Sequence, residues 1–301
     1  MTTARIMTTV LAALVPGIGA LVYWFGPGYL PRLAAAAALG LAVETAALLA
    51  RKRPLGPALT DGSTLLTCTL IVVALPPQID YGVLALAVIA GVGLGKHLYG
   101  GLGGNPFNPA VVGYAVALVS FPAAFATWPG ATDGMTGATA LTALRHREGE
   151  TLAELYAGNP AFGALGGAGW EWVNLAFLLG GLVLVLRGIA AWRIPAALLG
   201  TLGALALLGY DSGSSESLGA PTFHWLAGGT CLAAFFFATD PVTHPATHRG
   251  QILFGCLIGA VAFTVRAFGN YPDGIAFGIL LANGATPWLD RAFTLERADR
   301  V

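Results

Sequence analysis

An all-α polytopic membrane protein is the fold class this sequence predicts, and three observations predict it. The 301 residues are 56% hydrophobic and only 10% charged, with mean hydropathy +0.72, whereas a soluble domain carries roughly 25% charged residues. Apolar stretches of near-spanning length recur along the whole chain, and a helix that crosses a bilayer needs about 20 such residues. The cations sort to one side of those stretches, as the positive-inside rule requires.

The first stretch runs from about 6 to 25; Arg5 precedes it and no A-x-A site follows, so it reads as an uncleaved first span. The others lie at about 33–50, 58–76, 81–98, 108–124, 170–187, 193–210, 221–238, 251–267 and 273–290, giving about ten transmembrane helices. Polar or Gly/Pro positions in the third, fifth, eighth and tenth predict broken or re-entrant segments there. With the N-terminus inside, only Arg32, Arg145, Arg147 and Arg266 of the 15 cations fall outside, which predicts an N-in, C-in topology in a cell inner membrane.

Residues 57–77 and 221–241 each place a Thr-Cys pair (Thr67-Cys68 and Thr230-Cys231) in a helix that ends in proline. Each is followed by a helix, a Gly-rich turn and another helix. The expectation is therefore two five-helix repeats, 1–124 and 170–301, flanking an outer loop at 125–169. An odd helix number inverts the second repeat, and inverted repeats cradle a site between their broken helices.

Composition excludes some functions. The net charge is zero and the longest basic run is Arg51-Lys52-Arg53, so nothing supports nucleic-acid binding. Cys68, Cys231 and Cys256 lie in apolar stretches without CxxC spacing and read as small buried hydrophobes. No metal-ligating set stands out.

The chemistry is expected in the 125–169 loop, since a loop this long is usually functional or disordered. It contains Asp133-Gly134-Met135-Thr136-Gly137-Ala138-Thr139. This matches the flavinylation pattern D-x-x-[S/T]-G-A-[S/T], whose last hydroxyl accepts FMN from a flavin transferase. Gly137 and Ala138 leave the backbone open to a large enzyme and a phosphate, and Asp133 is a candidate for orienting the loop. Asn283-Gly284-Ala285-Thr286 repeats the core but has Asn in place of Ser/Thr and Leu280 in place of the aspartate, so Thr286 is assigned no flavin.

Two further runs stand out. Lys96 to Tyr114 is glycine-dense and holds two Asn-Pro pairs, which favour a turn followed by a helix start; close helix packing explains its glycines equally well. Phe235 to Pro245 ends a span at Asp240-Pro241. Glu44, Asp61 and Asp240 are membrane-embedded carboxylates and so functional candidates, although capping or stopping a helix is the more frequent role for an aspartate placed before proline as Asp240 is.

Together GKHLYGGLGGNPFNPAVVGYAVALVSFP, DGMTGAT, FFFATDPVTHPATHRG and YPDGIAFGILLANGATPWLD resemble the RnfD family, a membrane component of the Rnf electron-transport complex. More distantly they are similar to NqrB, its counterpart in the sodium-translocating NADH:quinone reductase. The short stretch before the first span points to the former, and Ala140 stands where relatives often have proline. The resemblance implies a urea-transporter-like fold of inverted repeats and FMN as a phosphoester on Thr139 at the periplasmic side. It also implies a lipid-embedded complex with a second covalent-flavin subunit, iron–sulfur membrane subunits and an NADH-oxidising subunit. Such a complex exchanges electrons between ferredoxin and NAD while moving Na+ or H+; this chain carries electrons through its cofactor and is not catalytic alone. Whether a second, noncovalent flavin is bound stays open. The competing expectation is a passive urea-transporter-like channel or solute transporter without flavin.

Overall fold

In the computed structural model the described residues are 2–131 and 136–298, with side chains of the last helix through Phe293. Asp133 lies outside them. The chain opens with two long apolar helices, α1 (Thr3–Phe25) and α2 (Tyr29–Ala50). Thr2 caps α1 by accepting the Arg5 amide, and Gly26, at φ 94°, ends it in a backbone conformation that favours glycine. α2 stops at the Arg51-Lys52-Arg53 run.

The third apolar stretch breaks as its composition predicts. α3 (Leu55–Leu59) and α4 (Ser63–Ala74) are separated at Gly62, φ 79°, and the Asp61 carboxylate restarts the helix by accepting the Ser63 amide at 2.7 Å. α5 (Tyr81–Val88) continues without a break into a π-helical stretch, Ile89–His97. A π segment shifts the register of every side chain beyond it, and here it redirects Lys96 and His97. The Gly-rich connection then leads to α6 (Pro109–Ser120). Asn108 is its N-cap, accepting the Ala110 and Val111 amides, and Pro109 holds the first helical position. A turn at Phe121 leads to the short α7 (Pro122–Ala126).

The second half has the same order. α10 (Trp170–Leu186) and α11 (Arg193–Leu208) are followed by a broken helix. Its parts are α12 (Pro221–Leu226) and α13 (Thr230–Leu232), the latter extended by a π stretch, Ala233–Phe237. α14 (His248–Phe268) and α15 (Ile275–Ala298) close the chain. The tenth stretch, expected to break, is one continuous helix with Pro287 inside; a proline removes one backbone donor, and here the helix runs on past it.

Among the described residues four helical segments are long and apolar enough to cross a membrane: Thr3–Phe25, Tyr29–Ala50, Leu55–Ala74 and His248–Phe268. Tyr81–His97, Pro109–Ser120, Trp170–Leu186 and Arg193–Leu208 are shorter apolar helices. This is the architecture of a multi-pass membrane protein. One core runs through it, from Leu14 and Leu21 through Ile71 and Phe177 to Leu198, Phe254 and Ile279. α1 crosses α10 closely because Gly180 has no side chain: a Cβ there would lie 2.0 Å from the Ala13 carbonyl oxygen.

The described residues of the 125–169 loop are folded rather than irregular, and they add a little β-structure to the otherwise helical chain. Strands β1 (Thr127–Pro129) and β2 (Thr136–Ala138) pair antiparallel. α8 (Ala140–Arg145) and α9 (Leu152–Gly158) follow, the latter with a capping box between Thr151 and Glu154. Leu141, Leu144, Leu152, Leu155 and Phe162 pack with Phe223 and Ala227 of the second half into a separate small core. Arg145 donates to the carbonyls of Gly269 and Tyr271, and Arg147 donates to those of Ser215 and Ser217. Both guanidiniums are partly desolvated, which lowers their affinity for the proton.

Candidate functional site

Thr139 sits where β2 ends and α8 begins. It is the N-cap of α8: its hydroxyl oxygen accepts the Thr142 amide at 3.3 Å and lies 3.1 Å from the Thr142 hydroxyl. The three residues before it, Thr136, Gly137 and Ala138, are exposed on β2, whereas Thr139 is half-buried and Ala140 is buried. The motif therefore passes from the surface into the protein at its last residue. Asp133 cannot be placed in this geometry, since it lies outside the described residues.

Two cavities meet at Thr139. The outer one, about 910 Å³ including space open to solvent, is lined by the hairpin, Asn159 to Ala161 and Ala168. The inner one, about 840 Å³ on the same measure, runs between the halves of the chain, from Thr139 and Leu141 to Val73, Phe237 and Ile279. Without that open space the outer one is about 320 Å³, at the lower edge of the roughly 300–1,000 Å³ of small-molecule and cofactor sites, and the inner one, about 90 Å³, is well below it. Trp128 and Trp170 wall both cavities. Their ring centroids are 4.8 Å apart at 72°, and Phe25 stands 5.0 Å from Trp170. Edge-to-face rings of this kind form a stiff apolar wall against which a planar group can stack. The inner cavity adds Tyr114, itself edge-on to Phe125 at 5.3 Å.

Asp273 is the one carboxylate on the inner wall among the described residues. It is held by Arg266, whose Nε and Nη2 donate to its two oxygens at 3.0 and 2.7 Å. Arg266 is 4% exposed and also donates to the His224 carbonyl and the Thr230 hydroxyl. The sequence alone shows Arg266 only as an outer cation and Asp273 only as part of a YPDG turn. The signal lies in the seven-residue interval from a helix-end arginine to a turn aspartate.

At the other end of the bundle the candidate carboxylates separate. Glu44 is fully buried and accepts from Lys96 Nζ at 2.7 Å. Lys96 also donates to the hydroxyls of Ser63 and Thr64 at 2.8 and 2.7 Å. Asp61 is tied to Ser63 and so joins the edge of this cluster. Among the described residues Oε2 of Glu44 has no hydrogen-bond partner, and His97 Nε2 lies 3.4 Å from Oε1. Asp240 is not part of it; its carboxylate turns back on the Val242 amide and the Thr243 hydroxyl. Asn108 bridges the halves, donating its amide to the Phe237 carbonyl and its backbone N–H to Asn283 Oδ1. Thr286 is inside α15 and donates its hydroxyl to the carbonyls of Thr243 and Ala282. Cys68 and Cys231 are buried and Cys256 is half-buried, all as free thiols.

The model of the NQR2, RnfD, RnfE family matches residues 1–298. A protein of Pseudomonas aeruginosa, described as the D subunit of an ion-translocating oxidoreductase complex, is 47% identical over 99% of this chain and 94% of its own length. Proteins of the same description from Cellvibrio japonicus and Vibrio atlanticus are 42% and 40% identical over 96% of this chain, and over 88% and 92% of their own.

Proposed function

Because the chain belongs to the NQR2, RnfD, RnfE family, we propose that it is the membrane subunit of an ion-translocating ferredoxin:NAD oxidoreductase complex of Rnf type and that it carries FMN as a phosphoester on Thr139. The observation that carries the reading is the position of the Thr139 hydroxyl. It closes an exposed motif strand and opens on two cavities walled by Trp128 and Trp170. A covalent group hung there reaches an apolar, aromatic site without leaving its tether. The residues fit such a group: the hydroxyl for the phosphate, the edge-to-face tryptophans as a wall for a ring, and the outer cavity for its space.

FMN supplies the electron-carrying ring when bound. The chain's own residues hold and shelter it. Thr139 prevents its loss, Trp128 and Trp170 form its wall, and Arg145 and Arg147 pin the loop that carries it. The partners are a second covalent-flavin subunit, iron–sulfur membrane subunits and an NADH-oxidising subunit, with a flavin transferase acting during maturation. A second, noncovalent flavin is not assigned.

The same reading takes the chain as ten spans in two inverted repeats of an inner-membrane protein, N-in and C-in, with the Thr139 loop periplasmic. The packing supports it. In each half the second helix packs on the fourth and the fourth on the fifth, α2 on α5 and α5 on α6 in one, α11 on α14 and α14 on α15 in the other. α1 packs on α10, and the third element is broken in both halves. Loops at residues 26–28, 77–80, 125–169, 211–220 and 269–274 would then share the outer face.

Co-expression with the flavin transferase followed by a denaturing gel tests the tether. The wild-type band is expected to fluoresce under ultraviolet light, Thr139→Ala to be dark and Thr286→Ala to stay bright. A dark wild-type band overturns the assignment and leaves a channel or solute transporter as the reading.

A further inference from the structure

The side chains around the outer cavity are mostly aromatic or small and apolar: Phe25, Trp128, Trp170, prolines and alanines. Among the described residues that line it, only Thr136, Thr139 and Asn159 carry a hydroxyl or an amide. Thr136 is exposed on its strand and Thr139 is the acceptor of the motif, so Asn159 is the polar side chain whose purpose is unassigned. Its Oδ1 accepts the Ala161 amide at 3.0 Å. That bond fixes which way the amide faces, because only the oxygen can accept. Nδ2 has no hydrogen-bond partner among the described residues. What Asn159 offers a ligand in the cavity is therefore a pair of N–H donors.

The donor is held from both sides. Asn159 ends α9 by giving its backbone N–H to the Leu155 carbonyl at 3.0 Å, and its own carbonyl accepts the Phe162 amide at 3.1 Å. Phe162 stacks on Phe223, with ring centroids 5.6 Å apart, in the small core. Little ordering of this segment is needed when a ligand arrives.

Resting on the assignment of FMN to Thr139, we propose that the flavin ring occupies the outer cavity and that Asn159 donates a hydrogen bond from Nδ2 to a carbonyl oxygen of that ring, which raises its midpoint potential. An isoalloxazine ring is apolar at its benzenoid end and carries two carbonyls at its pyrimidine end. The cavity has the same division, an aromatic wall with one amide donor, and about 320 Å³ of room beside the tether. Reduction adds negative charge to the carbonyl end. A donor bonds more strongly to an acceptor that has gained charge, so Asn159 favours the reduced ring over the oxidised one. It orients and tunes the ring and moves no proton.

The test uses the purified, flavin-loaded full chain. Asn159→Ser and Asn159→Asp each keep an oxygen for the Ala161 amide, so the turn stays closed while the Nδ2 donors are lost. In potentiometric titration followed by flavin absorption, Asn159→Ser is expected to favour the reduced ring roughly fivefold less than wild type, a downward displacement of about 41 mV for a one-electron step. Asn159→Asp is expected to fall further, by roughly tenfold or about 59 mV, since its carboxylate also opposes the added charge. A role in the turn alone leaves Asn159→Ser at the wild-type midpoint, and that result overturns the hydrogen bond even if Asn159→Asp falls. Absence of flavin from both variants while wild type is loaded overturns it too, because Asn159 then serves attachment. The ring's place is read separately. Indole rings in contact with an excited flavin quench it, so native wild-type protein is expected to emit several-fold less than the same sample in denaturing detergent, and equal emission in the two states overturns the placement. A wild-type chain without covalent flavin overturns the functional assignment and this proposal together, and the band on the denaturing gel separates that result from the others.

Discussion

The two ends of this bundle solve opposite problems with the same helices. At the Thr139 end the chain builds emptiness: cavities walled by Trp128, Trp170 and Phe125, with one charge pair at the edge. At the Lys96 end it buries charge instead, in a hydrogen-bonded knot of Lys96, Glu44, Ser63 and Thr64 beside a cavity that Glu44, Asp61 and Lys96 line. The first end tolerates an incoming group because its walls are apolar and need no partner. The second is intolerant, because each of its charges is buried and depends on the other.

Breaking the buried pair gives the largest effect. Lys96→Met leaves the buried Glu44 without its lysine, with only His97 Nε2 3.4 Å away, and the expected loss is about 3–5 kcal/mol of stability, read as a lower unfolding midpoint in detergent. The double change Lys96→Met with Glu44→Gln removes both charges and is expected to recover most of that loss. If single and double variants unfold alike, the pair does not carry the stability of this end and the contrast fails.

Between the ends, Asn108 joins the halves. Asn108→Ala removes the cap of α6 and the bond to the Phe237 carbonyl, at about 1 kcal/mol for each. A destabilisation well under 1 kcal/mol by the same assay would mean the halves hold together without this bridge. The smallest effect is expected at the outer end, where Thr151→Ala opens the capping box of α9 at a cost of about 1 kcal/mol. That loss should be local, seen as faster amide exchange at 152–155 with the global midpoint unmoved. A shift of the midpoint would show that the outer segment and the bundle unfold as one unit.

These two ends also differ in how far the sequence reveals them. The Thr139 motif is a contiguous string of residues, and contiguity is what a sequence displays. The breaks at Gly62 and near Gly228, and the start of α6 at Asn108-Pro109, are legible for the same reason: each is set by local backbone chemistry. Glu44 and Lys96 meet across 52 residues. Their meeting depends on a π-helical stretch that shifts the register of Lys96, and no spacing rule for a regular helix finds that. Arg266 and Asp273 are hidden differently, since a turn aspartate looks like a helix start and it is one, while the cavity it faces is assembled by residues from both halves. The small core under the 125–169 loop escapes as well, because two of its residues, Phe223 and Ala227, come from an apolar stretch that composition assigns to the membrane.

That small core sets an order of events in the making of the protein. The core that holds Leu141 and Leu144, just after Thr139, is complete only with Phe223 and Ala227, which leave the ribosome some eighty residues later. Arg145 waits longer still, for the carbonyls of Gly269 and Tyr271. Thr139 is framed by its full set of neighbours only when nearly the whole chain has been made and inserted, so the flavin transferase of the proposed function would act there as a finishing enzyme, or earlier on a loose strand.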